Sequence, residues 1–210
     1  MASKLGIYNE TLGHLEERRI TSLSEAREPR RVLDDYWDSN LGYCLEQGFW
    51  NFAMRAVQVD SSTSVTPTFG YTYAFAKPSD WVRTYLVATN EDQRSPLLDY
   101  QDEPNYWYAD HDPLYISYVS KDAAYGLDLS IWPETFANYV ALRLAKQACI
   151  RITSSGSTKN DIEVRERRAL ADARSKDAMN QPPGFAPRGS WVMARGAGYS
   201  DHSRWNRTFR

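Results

Sequence analysis

Apolar side chains recur at three- and four-residue steps through Leu33, Trp37, Leu41, Cys44 and Leu45, while Arg30, Arg31, Asp34, Asp35, Asp38 and Glu46 fall largely off that stripe. This spacing predicts an amphipathic helix over residues 29–48, with Pro29 tolerated in its first turn and Gly48 as its stop. Leu5, Tyr8, Leu12 and Leu15 make a similar stripe, predicting a helix over 4–18 that Gly13 weakens near its end. Ile20-Thr21-Ser22-Leu23 reads as the connector between the two. Later in the chain, Phe136, Tyr139, Val140, Leu144 and Ala148 predict a helix over 133–152 opened by Pro133. A last helix over 159–178, with Thr158 and Asp161 as its N-terminal cap pair, has only Ile162, Val164 and Leu170 as large apolar residues. Such a helix covers one side of a helical layer, and its charged remainder is solvated or faces a partner.

The middle of the chain changes period. Ala56–Val59, Tyr71–Phe75, Thr84–Ala88 and Leu114–Val119 are rich in β-branched and aromatic residues and are separated by turn formers such as Lys77-Pro78-Ser79-Asp80 and Asp110-His111-Asp112-Pro113. A fifth short strand is expected at Tyr106-Trp107-Tyr108. The fold class that follows is α+β: a layer of about four helices, a small antiparallel sheet inserted between the second and third helices across residues 55–120, and an extended C-terminal tail. Residues 1–180 are the body, and residues 181–210 the tail. At the exit of the second helix, Phe49, Trp50 and Phe52 crowd together and are expected to form the core junction that fixes sheet to helices.

The tail lacks either apolar period. Its three prolines, four glycines and five aromatics are interspersed with arginines. Five arginines against the single Asp201 give it +4, so the chain's formal charge of −2 leaves −6 on residues 1–180. Thirty residues without periodic apolar content cannot by themselves offset a backbone ordering cost of about 1–2 kcal/mol per residue. Aromatics with arginine are, however, enriched at the centres of protein interfaces. Phe185, Arg188, Trp191, Arg195, Tyr199, Arg204, Trp205 and Phe209 are therefore expected to dock the tail on a partner. The length and 42 % hydrophobic content suit one main domain. No apolar run approaches the roughly 20 residues that span a bilayer, and Met1–Gly6 has no signal-peptide core, so no membrane role is expected and the protein should stay in the cytoplasm where it is made. Cys44 and Cys149 are expected as buried free thiols.

Candidate chemistry is sparse. His14, His111 and His202 have no partners at metal-ligand spacing, and no nucleophile or phosphate-cradling motif is present. Asp110-His111-Asp112 precedes a proline and reads as a turn, Asp34-Asp35 as a polar helix face, and Gly196-Ala197-Gly198 lies in the tail away from any βαβ unit. No catalytic residue, metal or cofactor is assigned, and the chain is not expected to be an enzyme. Tyr106-Trp107-Tyr108 could stack sugars or bases, though sheet packing or a protein interface accounts for it more simply.

Several segments in order resemble the tail tubular protein A family of short-tailed bacteriophages, the head-to-tail adaptors. They are the first helix, the connector Ile20–Leu23, the long helix with Gly48-Phe49-Trp50-Asn51-Phe52-Ala53, the run from Tyr71 to Arg83 containing Lys77-Pro78-Ser79-Asp80-Trp81, and Trp132-Pro133-Glu134-Thr135-Phe136 with its following helix. Together they cover about residues 5–178. One departure is Lys77, where the family often has an apolar residue; its side chain is expected to point to solvent or to a neighbouring subunit. The resemblance implies a structural virion protein located in the tail at the portal vertex. It implies a homo-oligomeric ring, commonly a dodecamer, between the portal protein and the tail nozzle protein, with genomic DNA passing through without sequence-specific binding. An acidic body is compatible, since it repels phosphate. The alternative is a nucleic-acid-binding accessory protein that uses the arginine and aromatic tail.

Overall fold

The computed structural model describes residues 2–93 and 96–180. These residues form an α+β fold in the order α1 (Lys4–His14), α2 (Glu28–Glu46), β1 (Met54–Val59), β2 (Tyr73–Ala76), β3 (Trp81–Ala88), β4 (Gln101–Asp102), β5 (Tyr106–Ala109), β6 (Leu114–Ser120), α3 (Glu134–Thr153) and α4 (Gly156–Met179). The tail at 181–210 lies outside the described residues.

Each predicted helix is present, with shifted ends. The first was expected to reach residue 18 and stops at His14. There Glu16 adopts a left-handed φ of 59°, the Glu17 N–H bonds the Leu12 carbonyl at 2.9 Å and the Glu16 N–H bonds that of Gly13 at 3.3 Å. This is a Schellman termination built without glycine at the left-handed position. It turns the chain so that Ile20 is buried, its backbone held in both directions by the Asn9 side chain at 2.9 and 3.1 Å. The last helix begins at Gly156, three residues earlier than expected, because Ser155 and not Thr158 is the cap; its hydroxyl accepts from the Thr158 N–H at 3.3 Å.

The helical core is made by the predicted stripes. Leu33, Trp37, Leu41, Cys44 and Leu45 of α2 and Phe136, Tyr139, Val140, Leu144 and Ala148 of α3 are all buried in one cluster with Tyr8 and Leu12 of α1. The Asn40 and Thr11 side chains are buried inside this layer and both find carbonyls: Asn40 donates to Val140 at 3.2 Å, and Thr11 to Ile7 at 2.8 Å.

The β insertion forms two sheets where one was expected. The strand orders are β1-β6-β3 and β2-β5-β4, all antiparallel. The division occurs at Lys77-Pro78-Ser79-Asp80. Proline cannot extend a strand ladder, the Lys77 N–H bonds Asn105 on the second sheet's side, and the Asp80 carboxylate bonds groups of the first. The chain turns a corner here between sheets. Phe75 and Trp107 of the second sheet then cluster with Val87, Ile116 and Tyr118 of the first, making a second small core. β6 is the shared wall: Val119 belongs to the helical core, while Leu114, Ile116 and Tyr118 belong to the sandwich. Burial on both faces explains its nearly continuous apolar sequence.

Gly126 permits the close return from β6 to α3. A Cβ there would stand 2.2 Å from the Ser120 carbonyl oxygen and 3.2 Å from Leu45 methyls, so backbone would have to move. Gly126→Ala is expected to destabilise the fold by about 1–3 kcal/mol, seen as a lower urea midpoint at unchanged slope. Gly13→Ala is the contrast, because an added methyl meets nothing within 4 Å on α1. That change should stabilise by up to about 1 kcal/mol.

Candidate interaction surfaces

The aromatic junction is assembled from two parts of the chain. Trp50 is only 1 % exposed, and its Nε1 donates to the Cys44 carbonyl at 3.0 Å, a second donor beside the Gln47 N–H at 3.3 Å in the last turn of α2. Gly48 allows the approach, since a Cβ there would lie 2.9 Å from the Trp50 ring. Phe136 from the start of α3 meets Trp50, Phe52 and Trp132 at centroid distances of 4.7, 4.8 and 4.9 Å. Phe49 leaves this cluster. It is half-buried on the other side, edge-on to Tyr85 at 5.1 Å, with the Arg83 guanidinium 4.2 Å from its ring. Arg83 also donates to the Glu46 carbonyl at 3.3 Å. Trp50 and Phe52 thus tie α2 to α3, while Phe49 ties α2 to β3.

Lys77 does not point to solvent. Its side chain is 4 % exposed; the ammonium lies 3.5 Å from the Trp81 ring centroid and 5.3 Å from that of Trp107, and it bonds the Asp102 carboxylate. Thr84 joins the group by accepting from both indoles, at 3.1 Å from Trp81 and 2.9 Å from Trp107, and donating to Asp102 at 2.8 Å. Cation, rings and carboxylate all have partners, which is why a lysine can occupy an interior position. Residue type at one position could not reveal this, because the partners come from three other strands. Trp107, part of the possible stacking platform, is therefore an interior side chain.

α4 is held to the body by apolar contact and by charge. Ile162, Glu166, Ala169, Ala173 and Asp177 form its buried face. Glu166 accepts from Lys146 at 2.8 Å and Arg143 at 3.4 Å, and Arg143 covers the Tyr43 ring at 3.9 Å. Near the other end, the Asn51 backbone N–H donates to Asp177 at 3.1 Å, and Arg174 donates to the Gln47 carbonyl at 3.0 Å. Val164 faces outward, 48 % exposed among charged neighbours. Glu166 looked like any other charge in a charged helix; its partners on α3 give it its role.

The residues considered for chemistry take structural places. Asp110 accepts from the Thr72 N–H and hydroxyl at 2.8 Å, and Asp112 from the Ser61 N–H at 3.1 Å and hydroxyl at 2.6 Å, so both carboxylates fasten loop to turn. Asp34 accepts from the Tyr8 hydroxyl at 2.7 Å and from Arg30 at 2.5 Å, with Lys4 at 3.3 Å. Burial works to raise its pKa, but these partners prevail and hold it below the usual carboxylate value. Asp35 pairs with Arg151 at 3.4 Å. His14 is partly buried beside Arg165, 3.0 Å away, and that burial followed by the positive charge lowers its pKa. Both cysteines are buried and free, and burial pushes the Cys44 thiol up to about 12, leaving it protonated at neutral pH.

Among the described residues, no group of three His, Cys, Asp or Glu side chains is arranged to hold a metal ion, and no helix is long and apolar enough to cross a membrane. Phe185, Arg188, Trp191, Arg195, Tyr199, Arg204, Trp205 and Phe209, the expected docking residues, lie outside the described residues, as does His202. No protein-family model matches the chain, and no curated protein matches it in sequence.

Proposed function

We propose that this chain is a structural virion protein, a head-to-tail adaptor whose homo-oligomeric ring joins a portal to a tail nozzle and surrounds passing DNA. The observation that carries the reading is the meeting of the segments on which the resemblance rests. Gly48–Ala53 and Trp132–Phe136 lie far apart in sequence and share one aromatic cluster around Phe136. The third segment, Tyr71 to Arg83, makes the corner between the sheets and reaches back to Phe49 through Arg83. Residues at mutually dependent joints form one structural unit, which supports treating their order as a family trait and not as scattered coincidences. A body carrying −6 against a tail carrying +4 is also suited to the role, because acidic walls let phosphate slide while arginine and aromatic side chains dock on protein.

Mixing the purified full chain with a portal ring and imaging the product by electron microscopy tests the proposal. Portal rings capped by an added ring of subunits are expected. A chain that remains monomeric and leaves the portal bare would refute it. Truncation after Pro183 should leave a folded body that no longer attaches, and normal attachment by that variant would remove the tail from the docking scheme.

A further inference from the structure

The second sheet presents an aromatic and acidic outer face. Because Trp107 points into the sandwich, Tyr106 and Tyr108 project from the opposite side, their ring centroids 6.2 Å apart. Gln101 stands opposite Tyr108 in the strand register, and the loop between β1 and β2 borders the same face. Between loop and sheet lies a cleft of about 320 Å³ whose walls include Pro67, Phe69, Tyr71, Gln101, Glu103 and Tyr108. At its margin the Tyr71 hydroxyl donates to Asp99 at 3.0 Å. Phe69 and Leu98 are 88 % and 89 % exposed, more than any other large apolar side chain among the described residues. The first is two residues from Tyr71 and the second is next to Asp99, so both exposed anchors flank one contact.

Charge selects the occupant. Residues 61–76 and 97–112 contain Asp99, Asp102, Glu103, Asp110 and Asp112 and no lysine or arginine. Lys77 offsets Asp102 on the inner side, whereas on the outer one Glu103 stands in the cleft wall, Asp99 accepts from Tyr71 and Asp110 from Thr72. Phosphate is repelled here, whereas a guanidinium or ammonium gains both a ring face and a carboxylate. The chain itself seats a cation in this way, with Lys77 over Trp81 against Asp102.

We propose that the cleft docks an extended basic segment of a partner protein. An arginine or lysine side chain lies over the Tyr71 or Tyr108 ring between Asp99 and Glu103, and apolar residues of the segment cover Phe69 and Leu98. This goes beyond the adaptor reading and stands without it.

Fluorescence anisotropy of a labelled octapeptide of alternating arginine and proline, titrated with the full chain, tests the site. Saturable binding that weakens with added salt is expected. Glu103→Gln and Phe69→Ser should each weaken it by about five- to ten-fold. Asp161→Asn, an exposed change on α4, should leave it unaltered and so exposes any general attraction to an acidic protein. Glu103 and Phe69 are both at the surface, so these variants should keep the parent's circular dichroism. The proposal is overturned if the peptide does not bind, or if it binds both cleft variants as tightly as the parent. Binding of maltoheptaose or of a single-stranded oligonucleotide at these residues in place of the peptide overturns it too.

Discussion

Replacing Trp50 with alanine should lower the melting temperature by about 10 °C. Removing a fully buried aromatic side chain typically costs about 3–5 kcal/mol, the lost transfer energy adding to that of the cavity left behind. In a chain of this size each kcal/mol moves the midpoint by about 2–4 °C. Here the Phe136 ring loses a neighbour at 4.7 Å, and the Cys44 carbonyl loses the shorter of its two bonds, keeping only the Gln47 N–H at 3.3 Å. A folded domain usually has only about 5–15 kcal/mol in hand, so the variant should sit close to unfolding in mild denaturant. Phe49→Ala is the informative control. That ring is half-buried against Tyr85 and Arg83, and its loss should cost about 1–2 kcal/mol. Calorimetry on the two variants distinguishes them; equal losses would mean that the joint is not centred on Trp50.

Removal of the Asp80 carboxylate should be the next most damaging change, and its effect should depend on pH. Asp80 accepts from the Ser120 hydroxyl at 2.5 Å, Arg55 at 2.9 Å and the Tyr118 hydroxyl at 3.1 Å. Asp80→Ala leaves those three donors at the sandwich corner without their acceptor, for a loss of about 2–4 kcal/mol at neutral pH. Burial pushes the Asp80 pKa upward, yet the bonds from Ser120, Arg55 and Tyr118 outweigh it and the pKa lies below its ordinary value. A carboxylate depressed in the folded state contributes its full stability above its unfolded pKa, about 3.9, and loses it as the pH falls through the folded value. The stability gap between parent and Asp80→Ala should therefore be constant near neutrality and narrow as the pH drops below about 4. Urea titrations at pH 7, pH 4 and pH 3 measure this, and a gap that widens on acidification would contradict the linkage.

Much of the helical layer was legible in the sequence because its rules are local. Leu33, Trp37, Leu41, Cys44 and Leu45 lie on one face wherever the helix is placed, and the structure buries all five. Helix ends were less legible. The stop at His14 depends on Glu16 accepting a left-handed conformation so that Ile20 can reach the core, and Glu16 advertises neither. Strand positions could be read from β-branched and aromatic runs, but their partners could not. Nothing in Tyr73–Ala76 or Trp81–Ala88 states that adjacent strands belong to different sheets.

The surfaces show the same limit. The crowding of Phe49, Trp50 and Phe52 marked the junction, although alternation of direction at the helix exit sends Phe49 to β3 and the other two to α3. By charge alone Lys77 and Glu166 belong at the surface, yet both are interior, because burial of a charge is decided by partners supplied from elsewhere. The acidic loops could be counted in the sequence, but only the register of β4 with β5 places Gln101 beside Tyr108 in a cleft.

By itself the sequence determined the α+β class, the helical stripes, the place of the β insertion and the contrast between an acidic body and a basic tail, all of which depend on local periodicity and composition. Tertiary structure alone decided that the insertion is two sheets, that β6 is the wall between their sandwich and the helical core, that Lys77 is caged and that Glu166 anchors α4. Those outcomes turn on free energies of groups brought together from distant positions, where a charge or a ring is stable only if its partner is already in place.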